Sequence, residues 1–161
     1  MFDIAIDQDQ PIKEFYAELT SGAAALVDGE PDPIANMANI AALIWQYVPE
    51  LNWAGFYRVI DDELVLGPFQ GKTACIRIAI GSGVCGTAAA TGKVQRVADV
   101  HAFPGHIACD AESRSELVVP VFKGSVLLGV LDLDSPLPER FGPADEAGMI
   151  ALVEAIANNL G

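Results

Sequence analysis

Positive charge is scarce in this chain. Nine Lys and Arg stand against 22 Asp and Glu in 161 residues, a formal charge of −13 at pH 7. That balance argues against nucleic acid, whose phosphates require clustered basic side chains, and against an anionic membrane surface. Long apolar runs are also missing; none approaches the roughly 18 residues of a membrane span. The opening MFDIAIDQDQ has neither a basic segment nor a long apolar core, so it does not read as a signal peptide, and a cytoplasmic location is expected. Cysteine is sparse and odd in number: Cys75, Cys85 and Cys109. Three thiols in such a chain point away from a structural disulfide framework and toward free, metal-bound or redox-active thiols. Repeats, linkers and low-complexity segments are absent, which leaves residues 1–161 as a single domain.

What is present suits a compact domain. Hydrophobic residues make up 52% of the chain and charged ones only 19%, enough to bury a core without staples. Residues 11–28 place Ile12, Phe15, Tyr16, Leu19, Ala23 and Leu26 on one side at helical spacing, with Gly29 at the end. Asp32 reads as an N-cap with Pro33 at the first helical position. Ile34, Met37, Ala41, Ile44, Trp45 and Val48 then form a second stripe before Pro49. From Asn52 the period changes. WAGFYRVI and ELVLGPF around Asp61-Asp62 predict a hairpin. CIRIAI predicts a strand starting at Cys75, and GSGVCGTAAATG a tight turn into a short helix closing at Gly92. A short strand near 94–97 precedes a polar, turn-rich loop. SELVVPVF and VLLGVLDLDS around Lys123-Gly124 predict a second hairpin. The last helix starts near Pro143, buries Met149, Leu152, Val153, Ile156 and Leu160, and stops at Gly161. Helices, strands with a helical insert, strands and a helix predict an α+β fold: an antiparallel sheet backed by terminal helices.

Three groups of residues carry chemistry. Trp53, Gly55 and Tyr57 share a strand face, so two rings flank a glycine and leave a gap between them; they fill core or wall a small ligand site. Asp132 and Asp134 alternate on one face of an otherwise apolar strand, and Glu116 opens the neighbouring strand. Three carboxylates at one sheet end would raise one another's pKa and suit a protonated acid or an ammonium ligand. Cys109 follows His106 by three residues in FPGHIACD, where the histidine or local N–H groups would favour thiolate while Asp110 opposes it. GSGVCG has no Gly-Lys-Ser/Thr and does not fit GxGxxG, so it reads as a backbone anion nest and not a nucleotide loop. Four-ligand zinc binding by Cys75, Cys85, Cys109 and His106 lacks any CxxC pair, and neither a metal nor a cofactor is expected.

Taken in order, NWAGFY, LGPFQGKTAC, GSGVCG, VADVHAFPGHIACD, SELVVP and GVLDLDSP resemble the free methionine-(R)-sulfoxide reductases, single-domain members of the GAF fold family. The resemblance spans about residues 52–136. It implies a GAF-like fold with a roughly six-stranded antiparallel sheet between N- and C-terminal helices, often as a homodimer. It also implies that Cys109 attacks the sulfoxide sulfur of free methionine-R-sulfoxide and becomes a sulfenic acid. Cys75 would then form a disulfide with it, for thioredoxin to reduce, with Cys85 as a third, relaying or substituting thiol. Trp53 would pack on the substrate methyl and Tyr57 would line the pocket. Glu116 and Asp134 would hold or protonate the sulfoxide oxygen, and Asp132 would help hold the ammonium. A non-catalytic GAF module that binds a small molecule or senses redox state is the alternative.

Overall fold

A computed structural model of the chain describes residues 4–107 and 111–161. Helix α1 (Ile12–Val27) and helix α2 (Pro33–Tyr47) come first. Asp32 caps α2 as its sequence predicts: its side chain accepts from the Ala35 N–H, and Pro33 occupies the first turn, where its missing donor costs nothing. Strands β1 (Trp53–Ile60) and β2 (Glu63–Gly71) form the first hairpin. Both turn residues, Asp61 and Asp62, adopt positive φ, as a two-residue turn matched to strand twist requires. Strand β3 (Arg77–Ala79), helix α3 (Gly83–Thr91) and strand β4 (Gln95–Val97) follow. Strands β5 (Ser115–Lys123) and β6 (Val126–Ser135) and helix α4 (Pro143–Ile156) complete the order. Gly92, left-handed at φ 63°, ends α3 with its N–H on Ala88 O.

The six strands form one antiparallel sheet in the order β3-β2-β1-β6-β5-β4. The two hairpins thus meet through β1 and β6, where Trp53 stands opposite Asp134 and Gly55 opposite Asp132. On β6's other side Glu116 faces Asp134. Each sheet face has its own core. Ala54, Phe56, Leu117, Val119, Leu131 and Leu133 pack against α1, α2 and α4. Trp53, Tyr57, Val118 and Val130 pack against α3 through Val84, Cys85 and Ala88. The central strands are therefore covered on both sides, and the second, smaller core borders the buried acids Glu116 and Asp132.

Three expectations need correction. Strand β3 starts at Arg77, so Cys75 lies in the β2–β3 loop and not at a strand's first residue. Ile12, Ile34 and Trp45 are exposed, at 47%, 41% and 40%, while Ile40 and Leu43 are buried in α2. The apolar stripes are wider than the arc that touches the sheet, and their edges stay in solvent. The space over Gly55 is not a gap for ligand either. A Cβ there would lie 2.3 Å from the Phe69 Cβ, and the Phe69 ring stacks on Trp53 at 5.2 Å between centroids. The glycine admits β2's own side chain.

Candidate active site

A pocket opens on the α3 face of the sheet. Trp53 and Tyr57 of β1 form one wall, stacked with 23° between planes and 5.8 Å between centroids. Glu116 of β5 and Asp132 and Asp134 of β6 form its acidic side, and the first turn of α3 closes it with Gly83, Val84 and Cys85. Thr73 and Ala74 of the β2–β3 loop, Ser113, His106 and Ile107 complete the rim. The cavity is about 40 Å³, and since a water needs about 10–15 Å³, it has room for a small ligand group.

Strand period places the acids. Asp132 and Asp134 are two residues apart on β6 and so share its face, and antiparallel pairing sets Glu116 beside them. Asp132 and Glu116 are buried and Asp134 half-buried. Burial pushes the Glu116 carboxyl well above the usual range, and the adjacent Asp132 and Asp134 charges push it further. Burial also raises Asp132, to about 6, against the opposing hydrogen bonds of Cys85 and Glu116. At neutral pH the pair thus favours a protonated Glu116 beside an ionised Asp132: a proton donor next to an anion, with a half-buried third carboxylate alongside. No Lys or Arg is among the described residues that line the pocket. The site has a negative excess and a use for a cation.

The thiols fall in three different settings. Cys85 is a free thiol, 5% exposed in the first turn of α3, with Sγ 3.8 Å from Glu116 Oε1. Burial, then the charges of Asp132, Glu116 and Asp134, hold its pKa well above that of an ordinary thiol, so it is an S–H group here. Cys75 is half-buried and disulfide-bonded. The Tyr57 hydroxyl donates to its carbonyl at 3.0 Å, and the Trp53 indole N–H donates to Lys72 O at 3.1 Å. The aromatic wall thereby also ties down the loop that carries Cys75. Cys109 lies outside the described residues. His106 is partly buried on the rim, and desolvation first, then His101, lowers its pKa, which keeps the imidazole neutral at pH 7.

Sequence reasoning brought together Trp53, Tyr57, Glu116, Asp132 and Asp134, and all five line the pocket with Cys85. It missed Thr73, Ala74, Ser113 and Ile107, which have no chemical signature of their own and enter only because their loops fold over the sheet. Phe69 was missed as the outer plate of the aromatic stack. The one available signal was Gly55: a glycine inside a strand marks a close approach by another element.

Comparison with known proteins agrees with this geometry. Residues 32–161 match the GAF domain model. The free methionine-R-sulfoxide reductase of Escherichia coli is 54% identical over 140 residues, covering 87% of this chain and 85% of the relative. That of Saccharomyces cerevisiae is 42% identical over 152 residues, covering 89% and 84%. Among solved structures, the free methionine-R-sulfoxide reductase of Neisseria meningitidis in complex with its substrate superposes with a TM-score of 0.94 at 40% identity, covering 99% of this chain and 96% of that one. With a six-stranded antiparallel sheet, an acidic pocket under α3 and relatives of this identity over nearly its whole length, the chain belongs to the GAF-domain family and, within it, to the free methionine-R-sulfoxide reductases.

Proposed function

We propose that this protein reduces free L-methionine-(R)-sulfoxide to L-methionine, with Cys109 as nucleophile, Cys75 as resolving thiol and thioredoxin as the recycling reductant. The observation that carries the reading is a buried Glu116, opposite Asp134 and beside Asp132 on the neighbouring strand, in one pocket with the aromatic wall; burial and the two adjacent acids hold its carboxyl toward the protonated form. A sulfoxide sulfur is a poor electrophile until its oxygen takes a proton or a strong hydrogen bond. Glu116 supplies that proton, assisted by Asp134. The Cys109 thiolate bonds to sulfur; the oxygen leaves sulfur for the cysteine, giving methionine and a sulfenic acid. The Cys75 thiol then displaces water from the sulfenic acid and forms the disulfide, and a dithiol such as thioredoxin takes it back to two thiols with its own oxidation.

The remaining groups fit a free amino acid. The substrate methyl packs on Trp53 and Tyr57 lines the pocket beside it. Asp132, ionised at neutral pH, holds the ammonium. The α-carboxylate meets the first turn of α3, whose N–H groups lack acceptors within the helix and carry the positive end of its dipole. The disulfide state of Cys75 and the buried, free state of Cys85 support Cys75 as resolving thiol. Cys85 then serves as the S–H neighbour of Glu116. A homodimer fits the same reading: α2 leaves Ile34 and Trp45 exposed, apolar area that a second copy would cover, and sedimentation of the purified protein measures it. No described helix is long and apolar enough to cross a membrane, and the reading places the enzyme in the cytoplasm, where thioredoxin recycles it.

The test is methionine release from racemic free methionine sulfoxide with dithiothreitol as reductant. Conversion should stop near half, with the R epimer consumed, and Cys109→Ser should abolish it. Cys75→Ser should release about one methionine per protein and then stall with thioredoxin. Ligand binding or thiol oxidation without any methionine would identify a non-catalytic GAF module instead.

A further inference from the structure

Cys85, Glu116 and Asp132 converge at the acidic side of the pocket. One ligand atom from each lies within 4.8 Å of the others, and all three residues are buried. The Cys85 Sγ to Glu116 Oε1 separation is 3.8 Å. A tetrahedral zinc ion with Zn–S of about 2.3 Å and Zn–O of about 2.0–2.2 Å has an S···O edge of about 3.5 Å, so little movement separates this pair from a ligating one. A second observation points the same way. Asp132 is 5% exposed and lines the pocket, yet its Oδ1 has no hydrogen-bond partner among the described residues. A buried carboxylate oxygen without a donor is costly, and a cation would satisfy it. No basic side chain among the described lining residues offsets the three acids.

We infer that Cys85, Glu116 and Asp132 form a binding site for one thiophilic divalent cation of the zinc type, held at the acidic side of the pocket with its fourth position open to the cavity. The donor set is one soft sulfur and two hard oxygens. It suits zinc or cobalt, and it disfavours magnesium, which takes octahedral oxygen ligands and keeps its waters. The three ligands come from α3, β5 and β6, so the site exists only in the folded chain. It is distinct in composition from a four-ligand site of three cysteines and His106, since it uses neither Cys75 nor Cys109. Its consequence for activity rests on the reading above. If Asp132 and Glu116 hold substrate, a bound cation removes both from service, and zinc inhibits in competition with methionine sulfoxide.

The experiment titrates Co²⁺ and Zn²⁺ into the full chain carrying Cys75→Ser and Cys109→Ser, which leaves Cys85 as the one thiol. Cobalt should bind one to one with a thiolate-to-metal charge-transfer band in the near ultraviolet, zinc should displace it, and Mg²⁺ should not. Adding Cys85→Ala should remove the band and weaken zinc about 100-fold or more, since even outer-shell partners change metal affinity about 10–100-fold. Asp132→Asn should weaken zinc while preserving the band. Circular dichroism of each variant establishes that it is folded, and thermal melts of the natural protein with and without zinc give an independent readout, a rise in Tm. No charge-transfer band, or zinc affinity indifferent to Cys85, overturns the site whether or not the protein reduces the sulfoxide. Binding that persists in a protein without sulfoxide reductase activity would instead strike the functional reading and leave the site standing. Zinc that binds at Cys85 but leaves the KM for sulfoxide unchanged overturns the competition.

Discussion

At the scale of single residues, the site combines function with instability. Glu116 and Asp132 are carboxyls whose folded pKa lies above the unfolded value, because burial disfavours their charged forms. The folded state then holds protons that the unfolded state has released. Such groups favour the fold below the unfolded pKa, near 4, and that contribution is lost as pH rises through the folded value. For Asp132 the window runs from about 3.8 to about 6. Asp132→Asn removes the loss. Urea unfolding should show it more stable than the natural protein at pH 7, by up to about 3 kcal/mol, and equal to it near pH 3.5. The same substitution should raise KM, since the ammonium would lose its anion. Glu116→Gln keeps the shape and the hydrogen-bonding oxygen but not the proton. It should lower kcat by about 10²–10⁴ with an unchanged circular dichroism spectrum, and steady-state methionine release measures it. A fall in kcat/KM with unchanged kcat would mean that Glu116 binds without donating.

At the scale of elements, the sequence was most informative where one period ran uninterrupted. The stripes of α1 and α4, the Asp32-Pro33 start of α2 and the turn at Asp61-Asp62 are local signals, and each element starts where its signal predicts, although α4 ends at Ile156 and gives way to a 3-10 turn over Ala157–Asn159 instead of continuing to Gly161. The face-sharing of Trp53 with Tyr57 and of Asp132 with Asp134 also follows from a period of two. What local pattern does not contain is register. Trp53 meets Asp134 because β1 pairs with β6, strands about seventy residues apart in sequence, and nothing in either strand states that pairing. The same holds for the link between the aromatic wall and the Cys75 loop, made by the Tyr57 hydroxyl on a backbone carbonyl. Tyr57→Phe tests that link. A neutral hydrogen bond of about 1 kcal/mol corresponds to about fivefold in rate, so thioredoxin-dependent turnover should slow about fivefold while the single-turnover rate changes less. Helix packing has a comparable hidden contact. A Cβ on Gly148 of α4 would lie 2.2 Å from the Tyr16 ring, and that ring cannot swing aside freely because its hydroxyl donates to Asp145 Oδ1 at 2.7 Å. Alanine would gain about 1 kcal/mol in helix propensity, but overpacking costs typically about 1–3 kcal/mol. Gly148→Ala should therefore destabilise, and pairing it with Tyr16→Leu, which makes room, should recover part of the loss in the same urea melts.

At the scale of the molecule, the dominant fact is charge. An excess of 13 negative charges on 161 residues repels itself in the compact state more than in the unfolded chain. Several surface pairs work against this: Arg77 with Glu63 at 2.9 Å, Arg96 with Glu146 at 2.6 Å, and Lys72 with Glu112. Salt weakens both effects, so the sign of its action on stability tells which is larger. Exposed pairs contribute only about 0–1 kcal/mol each and act at contact range, whereas the excess acts across the whole surface. Raising ionic strength from about 0.01 to 0.15 M shortens the screening length from about 30 Å to about 8 Å, from the size of the domain to less than its radius. The long-range repulsion should fall more than the contact pairs do. Thermal melts at pH 7 should give a Tm higher by about 2–4 °C at the higher salt, the shift that about 1 kcal/mol produces in a domain of this size. Sodium chloride is the salt to use, since sulfate would add its own strengthening of apolar burial. The increment should be unchanged in Glu116→Gln, since a protonated Glu116 carries no charge at pH 7, and it should vanish near pH 4, where the carboxylates take up protons. A Tm that falls with salt at pH 7 would show that the surface pairs outweigh the acidic excess.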